Sequence, residues 1–381
     1  MIEQVRSAFA VPDDVAYFNT ASLAPALHAV LDAGAAALER RAQPWTITPS
    51  DWFDEVEELR SRVAVLFGDP GGDGVALVPS TSYGFATAAR NLSPGAGEAV
   101  VVLAEEYPSG IYTWRRLAAR SGARIVTVTR EPGQDWADAV ESVLDAMGER
   151  TAIVSVPQVH WTDGAWVDLD RVAARAHALD AALVIDASQS LGAVPCDVTA
   201  LRPDFVVAVG YKWLLGPFGR GYLWVAPEHR DGEPLEENWI VRAGSEDFAR
   251  LVDYRDEYQP GARRFDQGQR TAFELTPMAL VAVGQLLEWG VDAVGAHLGE
   301  ITGTIVDRVR DLGLDPPVGR RGPHLIGLPI PEQSRDRVVA ALAERGVHAA
   351  VRGEVLRVAP HRHVTGADVD RLVDALAAAL A

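Results

Sequence analysis

Between residues 75 and 225 the chain alternates short apolar runs with stretches whose apolar positions recur every three or four residues. "GVALVP" (74–79) precedes a helical "SYGFATAARNL", and "EAVVVLAEEY" (98–107) precedes "SGIYTWRRLAARSG". "ARIVTVT" (123–129) precedes "DWADAVESVLDAMG", and "TAIVSVPQ" (151–158) precedes "DLDRVAARAHALD". "AALVID" (181–186), "DFVVAVG" (204–210) and "GRGYLWVA" (219–226) complete the series. Such alternation reads as βαβ units feeding one mostly parallel sheet. "GYLWV" is expected to fold back antiparallel on the strand before it, across "GPFG".

Outside this block the pattern changes. Residues 1–70 read as mainly helical with Pro and Gly breaks, and 245–269 as a polar, irregular connection. "LTPMALVAVGQLLEWG" (275–290) and "GAHLGEITGTIVDRVRDLG" (295–313) read as long helices. "HLIGLPI", a helix "SRDRVVAALAERG", a strand pair "VHAAVRG" and "VLRVAP", and a final helix "TGADVDRLVDALAAAL" follow. The expected organisation is a large α/β domain over 16–255 and a smaller α+β domain over 256–381, joined by an arm from 1–15.

Composition narrows the function classes. The 381 residues carry a formal charge of −18, with acidic residues spread along the chain, which argues against nucleic acid or an anionic membrane as partner. No apolar run approaches the ~18 residues of a membrane span, and the opening "MIEQVRSAFAVPDD" lacks a secretion-signal pattern. Cys196 is the only cysteine, so a reducing cytoplasm is the expected home and no cysteine-based metal site can form. Nor does "HRH" (361–363) have a third ligand at zinc spacing. Of 35 Lys and Arg residues, Lys212 is the single lysine and the other 34 are arginine.

In open parallel sheets, ligands bind beyond the carboxyl ends of the strands. The side chains standing there form a set. Ser80, Thr81 and Ser82 open a helix, a natural phosphate seat. Tyr107, Gln158, Asp186 with Gln189, and Lys212 close four of the next five ends. A phosphate seat, a flat ring, an amide, a carboxylate and a lone amine are together what pyridoxal 5′-phosphate (PLP) uses. Its aldehyde needs a lysine for a Schiff base, and its ring nitrogen needs a buried carboxylate to stay protonated. Taken singly the same residues have bland readings: Thr81 and Ser82 as helix caps, Asp186 as a turn former, Tyr107 as core packing, Gln158 as a backbone partner, Arg357 as a surface arginine. Gly216, Gly219 and Gly221 read as turn glycines, since no strand–GxGxxG–helix order surrounds them.

"VIDASQSLGAVPCDV" followed 26 residues after Asp186 by Lys212 in "GYKWLLGPFGRG" resembles the fold-type I PLP enzymes of aminotransferase class V. That group includes cysteine desulfurases, kynureninases, isopenicillin N epimerase-like proteins and the ergothioneine C–S lyase. "YFNTAS" (17–22), "VPSTSYGF", "FDQGQR" (265–270) and "LRVAPHRHVT" (356–365) extend the resemblance over nearly the whole chain. It implies an α/β fold-type I architecture, with a mainly parallel seven-stranded sheet in the large domain and a smaller C-terminal α+β domain. It also implies a homodimer with shared active sites and an amino-acid substrate. Lys212 would carry the internal aldimine and then move the Cα proton, with Asp186 holding the pyridine protonated. Thr81, Ser82, Tyr107, Gln158, Gln189 and Tyr211 would hold the cofactor. Gln269 and Arg270 would reach the partner's cofactor, and Arg357, helped by Asn19, would clamp the substrate carboxylate.

The chain departs from the desulfurase pattern, because residues 197–381 contain no cysteine. Val209 and Tyr211 stand where desulfurases often have Ser and His. The expected reaction is C–S β-elimination on an S-conjugated cysteine, with transamination to a 2-oxo acid or epimerisation as alternatives and a catalytically inactive binding module as the outlying one.

Overall fold

A computed structural model describes residues 5–131, 133–316 and 319–381. In chain order the strands are β1 (Ala16–Tyr17), β2 (Val75–Val78), β3 (Ala99–Leu103), β4 (Arg124–Val128), β5 (Thr151–Pro157), β6 (Ala182–Asp186), β7 (Phe205–Val209) and β8 (Gly221–Val225). Then follow β9 (Ile326–Pro329), β10 (Val347–His348), β11 (Ala350–Arg352) and β12 (Val355–Val358). Every apolar run of the alternating block became a strand of one seven-stranded sheet, in the order β2-β8-β7-β6-β5-β3-β4.

All pairings from β7 to β4 are parallel, whereas β8 runs antiparallel to both β7 and β2. "GYLWV" reverses because a parallel return would need a crossover, usually a helix, and the loop 210–220 contains none. β3, β7 and β8 are buried along their whole length because helices cover both faces, so their sequences read as unbroken apolar runs. One apolar layer packs the helices Asp54–Leu66, Trp136–Met147, Leu169–Ala178 and Leu275–Trp289 on the sheet. The opposite layer packs Thr81–Asn91 and Pro108–Ser121.

The second core is built from Ala16 and Phe18 and from residues between Ile305 and Ala379, around the sheet β11-β12-β9. The expected boundary shifts accordingly. The helix Leu275–Trp289, assigned above to the small domain, packs in the large core, whereas Ala16 and Phe18 belong to the small one. The cause is parallel pairing of β1 with β10, Ala16 opposite Val347, which draws the N-terminal segment across. No single helix among the described residues is long and apolar enough to cross a membrane.

Strand order reverses between β3 and β5: β4 lies outward on one side, β6 and β7 on the other. A ligand crevice is expected beyond the carboxyl ends at such a switch point, and the chemistry-bearing side chains converge there.

Candidate active site

A narrow crevice lies between Thr81, Glu106, Tyr107, Trp161, Asp186 and Lys212, with Pro157, Val159, Ser188 and Gln189 completing its walls. Lys212 lies three residues beyond β7 in a tightly closed loop. The Gly210 N–H donates to the Arg220 carbonyl at 2.8 Å, and the Gly216 N–H donates back to the Gly210 carbonyl at 2.8 Å. Gly192 supports the same loop. Its φ is +93°, and an added Cβ would lie 2.7 Å from the Trp213 carbonyl oxygen, so only glycine fits.

Lys212 is buried, and burial lowers its ammonium pKa to about 8; Asp186 opposes the shift, while Arg357 and Arg352 add to it. Its Nζ stands 5.4 Å from the Tyr107 ring centre and 6.0 Å from that of Tyr211. Asp186 ends β6 and is buried. Its Oδ1 accepts the Ser188 N–H at 2.8 Å. Burial raises its carboxyl pKa, against the pull of Ser188 and Lys212.

A second carboxyl, Glu106, faces the same space. Burial, and then the charge of Asp186, hold its pKa well above the ordinary range. Its Oε2 accepts the Tyr107 N–H at 3.3 Å, whereas Oε1 is buried without a partner. Two carboxyls sharing a buried pocket disfavour each other's ionisation, which favours the protonated form of Glu106.

At the other end of the crevice stands Arg357 on β12. Its Nη1 donates to the Trp161 carbonyl at 3.0 Å, and its Nη2 donates to Ser22 Oγ at 2.5 Å and Asn19 Oδ1 at 3.3 Å. A parallel bridge between Asn19 and Ala359 brings "NTAS" beside this strand. Burial and the neighbouring Arg352 lower the Arg357 pKa to about 10. Tyr107 and Trp161 meet edge to face, 5.5 Å apart at 82°, and form the wall between the two ends.

The structure therefore gathers Thr81, Tyr107, Asp186, Gln189 and Lys212 round one space, with Asn19 and Arg357 at its far end. Gln189 is already committed: its Nε2 donates to the Ala21 carbonyl and its Oε1 accepts from Trp213 Nε1. Tyr211 is half-buried, its ring packed on Phe218 at 4.6 Å.

Four expected cofactor contacts lie elsewhere in this subunit. Ser82 is exposed, and its hydroxyl donates to Ser109 across the outer helix pair. Gln158 follows the alternation of its strand: Pro157 and Val159 face the crevice, while its Nε2 donates to the Pro195 carbonyl at 3.0 Å. Arg270 is fully buried, spent on Asp266 Oδ2 at 2.7 Å and Gln259 Oε1 at 3.0 Å, because a sole buried carboxylate there draws in Arg60 and Arg270 together. Gln269 beside it is exposed. Cys196 is buried outside the crevice, its thiol pushed up to about 12, mainly by burial.

Glu106, Trp161, Ser22 and Ser188 were not singled out from the sequence. Glu106, Ser22 and Ser188 do stand inside the quoted stretches "AEEY", "YFNTAS" and "DASQS", whereas Trp161 lies in none.

The family model for aminotransferase class V matches residues 16–366. The chain is 28% identical to an uncharacterized aminotransferase, YcbU, of Bacillus subtilis over 86% of each sequence. It is 29% identical to isopenicillin N epimerase of Streptomyces clavuligerus, over 84% of this chain and 83% of the epimerase. Among solved structures it superposes on the cysteine desulfurase CsdA of Escherichia coli with a TM-score of 0.84 at 19% identity, covering 100% and 98% of the two chains. The cystine C–S lyase C-DES gives 0.85 at 18% identity, covering 96% and 98%.

Proposed function

On the premise that this chain belongs to the aminotransferase class V family and is a PLP-dependent enzyme, we propose that it catalyses C–S β-elimination from an S-substituted cysteine. The observation that carries the reading is the placement of Lys212. It is a buried amine with pKa about 8, beside Asp186 in a crevice walled by Trp161, whose carbonyl accepts from Arg357.

The residues suit the cofactor. The helix Thr81–Asn91 points its N-terminus at the crevice, where free N–H groups favour a phosphate. A buried carboxylate is what a protonated pyridine requires, and Asp186 supplies one. Bound there, PLP supplies the electron sink for the pair left at Cα when its bond to hydrogen breaks.

The chain does the rest. Arg357 holds the substrate carboxylate through charge-assisted hydrogen bonds, and Asn19 and Ser22 fix the guanidinium. The Cα proton passes to the Lys212 amine. The Cβ–S bond breaks with its electron pair leaving on sulfur, and hydrolysis of the three-carbon fragment gives pyruvate and ammonia. Tyr107 and Trp161 line the side of the crevice beside Lys212. A desulfurase route needs a nucleophilic thiol at the substrate, and the single thiol is buried outside the crevice.

Incubation of the holo-protein with S-substituted cysteines tests this reading. Stoichiometric pyruvate, ammonia and thiol support it. Amino transfer to an added 2-oxo acid without those products overturns it. As part of the same reading the protein is a homodimer, with the exposed Gln269 reaching its partner's site; sedimentation of the purified protein checks the dimer.

A further inference from the structure

We propose that Arg352 determines substrate choice, forming with Arg357 a two-guanidinium site for an amino acid that carries a second anionic group on its side chain or S-substituent. The inference rests on the amino-acid lyase reading above and names the substrate class of that site.

The two arginines lie on the β11–β12 hairpin, where Ala350 pairs with Arg357 and Arg352 with Val355. Both turn to one acceptor: Ser22 Oγ receives Nη2 of Arg357 at 2.5 Å and Nη2 of Arg352 at 3.3 Å. Among the described residues neither guanidinium has a carboxylate within salt-bridge distance. The buried pair Arg60 and Arg270, by contrast, is built on Asp266. A neutral hydroxyl satisfies hydrogen-bonding geometry but not charge. The cost is visible within the site, where Arg352 helps to depress Arg357, whose Nε is buried without a partner. The fields of both arginines also reach the Lys212 amine, so both belong to the same compartment as the reacting atoms.

Charge counting then gives the ligand. A substrate α-carboxylate balances one guanidinium and leaves the second unmatched at the crevice mouth. Arg352 is only half-buried, so the group it meets lies at the solvent end of the substrate. Because both guanidiniums reach one oxygen atom, that second anion stands close to the first. The chemistry is a carboxylate or sulfonate a few bonds from Cβ.

The concentration dependence of the first cofactor absorbance change, read by rapid mixing before turnover at low and moderate salt, tests the assignment on the holo-protein with S-carboxymethyl-L-cysteine and S-ethyl-L-cysteine. The wild type is expected to prefer the carboxymethyl compound by roughly tenfold or more, the scale of one charge-assisted hydrogen-bonded contact. Arg352→Gln is expected to reduce that ratio to about one, Arg352→Lys to restore part of it, and added salt to shrink it in the wild type. Equal weakening of both compounds in Arg352→Gln would mean that two guanidiniums clamp the α-carboxylate alone, and would overturn the proposal. So would the absence of any preference in the wild type. Failure of the elimination reading shows separately, as binding of both compounds without release of pyruvate.

Discussion

The Lys212 amine and the Tyr107 ring face each other, Nζ lying 5.4 Å from the ring centre. The amine has left water for an aromatic wall and keeps one carboxylate, Asp186, as its counter-charge. Burial wins over that attraction, and the ammonium pKa falls from 10.5 to about 8.

A neutral amine attacks an aldehyde and an ammonium does not. With the folded-state value near 8, roughly a tenth of Lys212 is neutral at pH 7, far more than for a free lysine. The rate at which cofactor-depleted protein captures PLP should therefore rise about tenfold per pH unit below 8 and level off above it. Replacing Arg352 by Gln removes a positive neighbour and should move the midpoint upward. Stopped-flow absorbance measures both. A midpoint near 10.5 would show that the amine is not desolvated.

Asp186 and Glu106 share one pocket but differ in role. Asp186→Asn removes the charge opposite the ring nitrogen and should lower turnover by roughly a hundredfold or more while the cofactor stays attached. Burial and Asp186 raise the Glu106 pKa and favour its protonated form. Glu106→Gln, which keeps the size and neutrality of the acid, should cost only a few-fold. Steady-state kinetics of the pair decides. Equal losses would mean that the charge is shared between them.

The thiol of Cys196 is inert. It is buried, with its pKa pushed up to about 12. Native protein should show no group reactive to a thiol reagent and one after denaturation, and Cys196→Ala should retain activity. A reactive native thiol would reopen a sulfur-transfer route.

Three buried histidines make the fold sensitive to acid. His324 and His363 have pKa values lowered from 6.5 to about 4 by burial, and His361 is lowered well below 6.5. Both ring nitrogens of His361 lack a hydrogen-bond partner, and its ring lies among those of Phe9, Trp213 and Trp289. The unfolded chain binds these protons below pH 6.5, and the folded chain binds them only near 4. Stability is therefore present above 6.5 and lost as pH falls through that window, by up to about 3 kcal/mol for each of His324 and His363. Urea midpoints at a series of pH values should fall steeply between 6.5 and 4. The fall should be smaller in His363→Gln, whose Nε2–H donates to the Tyr17 carbonyl.

The seven strands were legible because each is a short apolar run closed by polar or Gly punctuation, and because sheet ends must carry the ligand. Lys212 and Asp186 stood out by residue type at those ends. The Gln158 contact with the Pro195 carbonyl was not legible because one residue of strand phase moves a side chain from one face to the other, and "PQV" gives no phase of its own. The pairing of Arg270 with Asp266 was not legible because Arg60, which shares that carboxylate, lies more than 200 positions away in the chain. The Ser22 bridge between Arg352 and Arg357 joins the N-terminal segment to the C-terminal hairpin, a contact with no local pattern.

The central claim is that Lys212 is the cofactor-bearing amine. Borohydride reduction of the holo-protein, followed by proteolysis and peptide mass spectrometry, tests it directly. The account predicts one pyridoxyl-phosphate mass addition, on the peptide containing "GYKWLLGPFGR" and at Lys212, and none in Lys212→Ala. An unmodified Lys212 in reduced, cofactor-replete protein would contradict it.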